Sequence, residues 1–400
     1  MTLSANENDS PPYPAEVHSQ SLTVPFEFPV IFTRNVFAAD NPLLAEVMDR
    51  LGEGRRHRAM VAIDSGVAAA RAGLQRRIKE YFHAHGGRAE LATMVVVPGG
   101  EQAKNGWEIV REVMWTIGSA HLDRQSFVIA VGGGAVLDMV GFAASIVHRG
   151  LRLIRVPTTT LAQDDGGVGV KNGMDEHGQK NFVGTFAPPF AVIDDFDFLA
   201  TLSQRDWIGG VAEAFKVAII KDAAFFDFLC DRAAALAGRD EQAMEQTVRR
   251  CALLHLEHIA AGGDPFEFGS ARPLDFGHWV GHRLETMSDY AIGHGQGAAV
   301  GIAVDSCCAK QLGLITTDEL ERILAGLAAC GLATWDDLLA RRTADGALEI
   351  IEGLEQFREH LGGRLTITLP DGLGRKTEVH QLDTGLIERA VDFLRGRGAT

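Results

Sequence analysis

The feature that most restricts this chain is a repeated join in which an apolar strand runs into glycine and then into a helix. Its clearest case is Phe127–Val131, which meets Gly132-Gly133-Gly134 and continues as a helix over Val136–His148. Arg58–Ile63 ends the same way at Asp64-Ser65-Gly66, before an Ala/Arg-rich helix to about Ala84. Met94–Val97 closes on Pro98-Gly99-Gly100 and leads to a helix over Gly106–Ile117, and Leu153–Val156 adds a further strand. Upstream, Val24, Phe26, Phe28, Val30 and Phe32 alternate with period two, which predicts a half-buried strand. Strands separated by single helices imply parallel βαβ units with ligands at the carboxyl ends of the strands. From about Gln204 the pattern changes to Ala, Leu, Glu and Arg at helical spacing. A small hairpin (Leu365–Thr368 with Thr377–Leu382) and a last helix, Leu386–Arg395, close the chain. Four hundred residues exceed one ordinary core. The expected organisation is a polar, Pro-rich tail over 1–20, an α/β domain over 21–203 and a mainly helical domain over 204–400.

Charge narrows the function. Lys plus Arg is 38 against 53 for Asp plus Glu, a formal charge of -15. A nucleic-acid binder needs a basic surface, so that class is excluded, while a small anion held by a few local cations is not. The apolar stretch around Val128 to Ile146 is broken by glycines and Asp138, so no membrane span is expected. The first twenty residues lack the basic and apolar regions of a secretory signal. Five cysteines without a CxxC pair suit a reducing, cytoplasmic setting.

Three groups of residues carry possible chemistry. At Gly132-Gly133-Gly134, backbone N–H groups at a helix start can meet a pyrophosphate. Leu137 stands where a third fingerprint glycine would be, so the run reads equally as a plain tight turn. Asp64, Glu101 and Lys104 follow neighbouring strands, and polar groups at successive strand ends favour a nucleotide. The second group is PTTTLAQDDGGVGVKNGMDEHGQKN, where Asp164 and Asp165 precede a glycine-rich stretch, Lys171 and Lys180-Asn181. Its apolar flanks read as an active-site loop for phosphate or a polyhydroxyl ligand. The third holds His278 and His282, four apart on one helical face, His294 in GHGQGAAVG, and Glu213 one turn before Lys216. Two imidazoles, a carboxylate and an open position form a common catalytic zinc set, although spacing alone leaves open which residues bind.

In order along the chain, GGEQAKN, GGGAVLDMVGFAAS, HRG, VPTTTLAQDD with Lys171, GQKNFVGTF, TLSQRDWIGGVAEAFK and FGHWVGHRLE followed by His294 resemble the 3-dehydroquinate synthase family of sugar phosphate cyclases. The resemblance runs from about residue 58 to 310. It implies a Rossmann-like NAD domain joined to a helical metal domain, with the active site between them, in a homodimer. By position it implies Glu213, His278 and His294 as ligands of a divalent metal, usually zinc, with cobalt as an alternative. Asp64, Glu101, Lys104, Gly133, Gly134, Asp138, Thr158, Thr159 and Thr201 match NAD contacts. Asp165, Lys171, Lys216 and His282 match catalytic positions and Lys180 and Asn181 substrate contacts, while Arg149 matches an arginine that reaches the phosphate across the dimer. The implied reaction is a transient oxidation by NAD, loss of phosphate, return of the hydride, ring opening and aldol closure, with no net redox change.

Departures from the family pattern bear on the substrate. Glu257 falls where a carboxylate-binding lysine would be, Ala271 where an arginine would be, and Asp275 replaces an asparagine, with Arg272 next door. FREHLGGR replaces a C-terminal Asp-Lys-Lys segment. A substrate carboxylate placed against Glu257 and Asp275 would be repelled, whereas a neutral polyol finds acceptors there. The expectation is a cyclase acting on sedoheptulose 7-phosphate to give a valiolone-type cyclitol. The competing readings are an authentic 3-dehydroquinate synthase and a metal-dependent polyol dehydrogenase. Lys171, Lys180, Asn181 and Lys216 argue against the dehydrogenase, which has no phosphate to hold and expel.

Overall fold

The computed structural model describes residues 17–177, 179–261, 266, 274–360 and 365–398. In chain order its strands are β1 (Val30–Thr33), β2 (His57–Asp64), β3 (Ala89–Val97), β4 (Phe127–Gly132), β5 (Arg152–Pro157), β6 (Lys171–Glu176), β7 (Gln179–Phe186) and β8 (Ala191–Asp195). Six of these form one parallel sheet in the order β1-β8-β5-β4-β2-β3. The helices between them are α1 (Leu43–Met48), α2 (Ser65–Ala70), α3 (Leu74–Ala84), α4 (Glu108–Ser119) and α5 (Gly134–Ile146). Ala59, Val61 and Ile63 of β2 pack on one face with residues of α1 and α3. Met60 and Ala62 pack on the other with residues of α4 and α5. Both faces are covered, which is why these strands read as unbroken apolar runs.

The rest of the chain carries α6 (Gln204–Lys221), α7 (Ala223–Ala237), α8 (Glu241–Ala261), α9 (His278–Met287), α10 (His294–Gln311), α11 (Thr317–Ala329), α12 (Glu352–His360) and α13 (Thr384–Gly398). A short hairpin, β9 (Ile367–Pro370) with β10 (Lys376–Val379), precedes α13. A second large core gathers residues from Phe196 onward, with α6 buried along most of its length. The chain is thus an α/β sheet region followed by a mainly helical one. No helix among the described residues is long and apolar enough to cross a membrane.

Several expected elements change shape. The alternating run from Val24 forms a strand only at Val30–Thr33, where it pairs with Val192–Asp195 of β8, and Val24 and Phe26 are exposed. The helix after Asp64 is broken at Gly73, whose φ is +85°. The helix expected to reach His148 ends at Ile146, and His148 and Arg149 take left-handed backbone at φ +51° and +66°.

The supposed glycine-rich loop is largely ordered: a π-helical turn over Ala162–Gly166, then the antiparallel hairpin β6–β7. Arg155, fully buried in β5, organises it. Its guanidinium donates to the carbonyls of Gly167 (3.0 Å), Gly169 (2.7 Å) and Lys171 (2.6 Å) and to Asn172 Oδ1 (2.8 Å). Burial brings Arg155 down to about 10, so it remains a cation at neutral pH.

Candidate active site

Close helix packing builds the metal-binding geometry. A Cβ on Gly301 of α10 would lie 1.9 Å from the carbonyl oxygen of Gly277, at the start of α9. One on Gly295 would lie 2.2 Å from the carbonyl oxygen of Gly209 in α6. The three helices therefore approach as only glycine permits, and His278, His282, His294 and Glu213 converge. Ligand nitrogens of the three histidines lie within 4.8 Å of one another. Glu213 Oε1 is 3.7 Å from His278 Nε2 and 3.5 Å from His294 Nε2. Tetrahedral zinc with bonds of about 2.0–2.1 Å sets its ligands ~3.3 Å apart, close to this spacing. Glu213 is fully buried and its Oε1 has no hydrogen-bond donor among the described residues, an anionic oxygen that a cation would satisfy. The residues present fit a divalent metal. His282 lies with the other two imidazoles, so the structure offers it as well as the three residues named from the motifs.

Electrostatics prepares the same groups. Against burial, Lys216 and His278 bring Glu213 down to about 2, and the Lys216 ammonium contacts Glu213 Oε2. Burial and Lys216 lower His278, and burial together with His278 lowers His282 well below the usual imidazole range. Both rings are neutral at pH 7 and retain a lone pair. His294 behaves otherwise. Burial opposes its protonation, but Glu285 and Glu213 raise it to about 9, and its Nδ1 is 2.7 Å from Glu285 Oε1. The other Glu285 oxygen accepts from Lys180 Nζ at 2.6 Å, while Glu101 Oε1 lies 3.3 Å from the same ammonium. Lys180, expected to hold substrate, is thus shared between two carboxylates.

Asp165, on the π-helical turn, pairs through Oδ1 with His255 Nδ1 of α8 at 2.9 Å. Against burial, Lys216 and His255 hold Asp165 well below the ordinary carboxylate range. Asp164 beside it is fully buried with neither oxygen partnered among the described residues, and burial with the charges of Asp165 and Glu213 pushes it well up. Asp275 is half-buried; its carbonyl accepts from the His278 N–H at 3.0 Å, and its charge helps raise Lys216. Glu257 is a correction. It is exposed, and the charge it supports is that of Lys221. Two residues along a helix turn a side chain by roughly 200°, so His255, not Glu257, is the α8 residue that meets Asp165. Lys171 lies at the exposed start of β6. Ala271 and Arg272 fall outside the described residues.

The proposed cofactor contacts collect at the carboxyl edge of β2, β3, β4 and β5. Asp64 Oδ1 accepts from Gly66 N at 2.7 Å, and a Cβ on Gly99 would lie 2.2 Å from that oxygen. Gly133 precedes α5 and a Cβ there would meet Thr159 Cγ2 at 3.2 Å, while Gly134 faces open space. Thr158 is buried and its Oγ1 has no partner among the described residues. A cradle of glycines at a helix start with a spare hydroxyl fits a dinucleotide pyrophosphate. Lys104 Nζ donates to Asp138 Oδ2 at 2.9 Å and to Asn181 Oδ1. Thr201 lies apart, exposed ahead of α6, its hydroxyl donating to Phe198 O at 3.0 Å. Arg149 lies at the opposite edge of the sheet, in the turn that precedes β5.

Comparison with known proteins agrees with this geometry. The 3-dehydroquinate synthase N-terminal profile matches residues 94–209 and the C-terminal profile residues 210–352. A 3-dehydroquinate synthase of Paracoccus denitrificans is 35% identical over 311 residues, covering 76% of this chain and 82% of its own. The chain belongs to the 3-dehydroquinate synthase family. A 3-dehydroquinate synthase of Shewanella halifaxensis is 33% identical, covering 75% of this chain and 82% of its own. Among solved structures, ValA (2-epi-5-epi-valiolone synthase) from Streptomyces hygroscopicus subsp. jinggangensis 5008, with NAD+ and Zn2+ bound, superposes with a TM-score of 0.84 at 29% identity, covering 95% of this chain and 100% of its own. A 2-deoxy-scyllo-inosose synthase has a TM-score of 0.71 at 22% identity, covering 91% of this chain and 96% of its own, and shares the fold.

Within that family framework, motif reasoning missed Glu285 and His255. Glu285 was within reach, since positions 278, 282 and 285 share one face of a helix. His255 was not, because its partner Asp165 lies far back in the sequence and nothing local marks the pair.

Proposed function

We propose that this family member is a sugar phosphate cyclase that converts sedoheptulose 7-phosphate to a valiolone-type carbocycle and releases phosphate. The observation that carries this reading is the acidic lining of the site. Asp275 stands where the resemblance places an asparagine, its negative charge felt by Lys216 and His278, and α8 offers His255 paired with Asp165. A substrate carboxylate in that space would face like charge, while sugar hydroxyls can donate to these oxygens. The superposition on ValA, a valiolone synthase, supports the same choice.

Glu213, His278 and His294 would hold the metal, and Asp64, Gly133, Gly134, Thr158 and Thr159 the pyrophosphate end of NAD. Bound there, NAD would take up and return a hydride while the metal polarised a sugar hydroxyl. Lys216, buried and positive, keeps Glu213 and Asp165 ionised and leaves Asp165 able to orient a hydroxyl. His282, neutral and buried, can accept and pass a proton. Lys171, with Arg149 of a second subunit, would neutralise the departing phosphate.

A second reading, a 3-dehydroquinate synthase, draws on the names of the relatives at 35% and 33% identity. Competition at equal concentration separates the two. Sedoheptulose 7-phosphate should be consumed at least tenfold faster than the carboxylated heptulosonate phosphate, since ~1.4 kcal/mol of repulsion already gives that ratio. Faster consumption of the carboxylated sugar, with dehydroquinate as product, would replace the first reading by the second.

A further inference from the structure

We propose that Glu285 is a positioning residue for the metal centre, fixing the ring of His294 and tying it to Lys180. The inference rests on the metal reading above. His294 is the first residue of α10 and follows Gly293, which lends it no capping side chain, so the helix alone does little to orient the ring. Glu285 does. It is 3% exposed, and its Oε1 accepts from His294 Nδ1 at 2.7 Å. Held through Nδ1, the ring turns its other nitrogen, Nε2, toward Glu213, whose Oε1 lies 3.5 Å away, so Nε2 is the atom presented to a metal. A carboxylate behind a ligating imidazole sets its tautomer and raises its basicity. The second oxygen of Glu285 is fixed in turn by Lys180 Nζ at 2.6 Å, and Lys180 also meets Glu101 at 3.3 Å. Glu285 therefore cannot swing away without leaving a partly buried ammonium short of one partner, which is costly. Through this chain of contacts the ligand on α10 is registered against α9, against the hairpin strand β7 and against the turn after β3.

The test is metal affinity, measured on the full chain stripped of metal and titrated with Co2+ against a chromophoric chelator, together with the visible spectrum of the Co2+ protein. Glu285→Gln, which preserves shape and one acceptor, should weaken binding about tenfold, and Glu285→Ala by up to about a hundredfold, each with an altered spectrum. If the Ala variant does not fold, the Gln variant decides. Lys180→Met removes the anchor of the second Glu285 oxygen but keeps the contact with His294, and should weaken Co2+ binding by clearly less than Glu285→Gln. Wild-type affinity and spectrum in both Glu285 variants would overturn the proposal. So would a Lys180→Met loss as large as that of Glu285→Gln, which would signify general loosening. His278→Ala separates the two levels: if it too keeps full affinity, the metal reading itself fails.

Discussion

Asp305 shows how a single buried carboxyl supports the site while costing stability. Its Oδ1 accepts from Trp279 Nε1 and its Oδ2 from Gly277 N, both at 2.9 Å, so it clamps the start of α9, where His278 sits. Burial pushes its pKa up to about 7 in spite of these two donors. An unfolded aspartate titrates near ~3.9. Between those values the folded chain holds a proton that the unfolded chain has lost, so stability falls as pH rises. The contribution is complete below about pH 4, declines by ~1.4 kcal/mol per unit at most, and is gone above about pH 7. Asparagine has no such titration. Denaturant unfolding of the metal-free protein should therefore show Asp305→Asn gaining on wild type between pH 5 and 7, by on the order of 2–3 kcal/mol. A difference that is flat with pH would mean that Asp305 stays ionised in the fold.

At the level of elements, glycine decides how near the ligands come. Gly301→Ala would place a methyl 1.9 Å from Gly277 O, so α9 and α10 must part by more than 1 Å. Overpacking of this kind costs ~1–3 kcal/mol. Because His278 and His294 ride on the two helices, metal affinity should also fall by about tenfold or more, the scale of a misplaced ligand shell. A Cβ on Gly118 in α4 would meet nothing within 4 Å among the described residues, so Gly118→Ala is the matched control, expected to leave melting unchanged or raised and metal binding intact. Equal metal affinity in both variants would show that helix spacing does not limit the site. These glycines also mark how far the sequence could be read. The strands β2 and β4 were legible because two covered faces leave an apolar run closed by a glycine turn. The metal donors were legible because helical spacing places 278 and 282 together. The β6–β7 hairpin was not, since KNGMDE is held by the buried guanidinium of Arg155 rather than by any apolar pattern of its own. Glu257 misled for a related reason: position in a motif does not say which face of α8 turns inward.

For the molecule as a whole, Arg149 poses a problem of reach. It follows α5, which starts at the cofactor edge and runs 13 residues away from it, a length of about 20 Å. At the far edge Arg149 is exposed, in left-handed backbone at φ +66°, a conformation that an arginine adopts at a cost. It cannot turn back to Glu213 and the histidines of its own chain. A role at the phosphate then requires a second subunit, as the resemblance implies. Subunit mixing tests this directly. Arg149→Ala and His278→Ala should each be inactive alone. Refolded together in equal amounts, half the dimers are mixed, and each mixed dimer has one site with an intact metal shell facing an intact Arg149. Activity should return to about a quarter of wild type. If Arg149 served its own chain, no mixed dimer would contain a complete site and the mixture would stay inactive. Sedimentation of the wild type at assay concentration must show a dimer for the same reason, and a monomer with full activity would remove Arg149 from the site altogether.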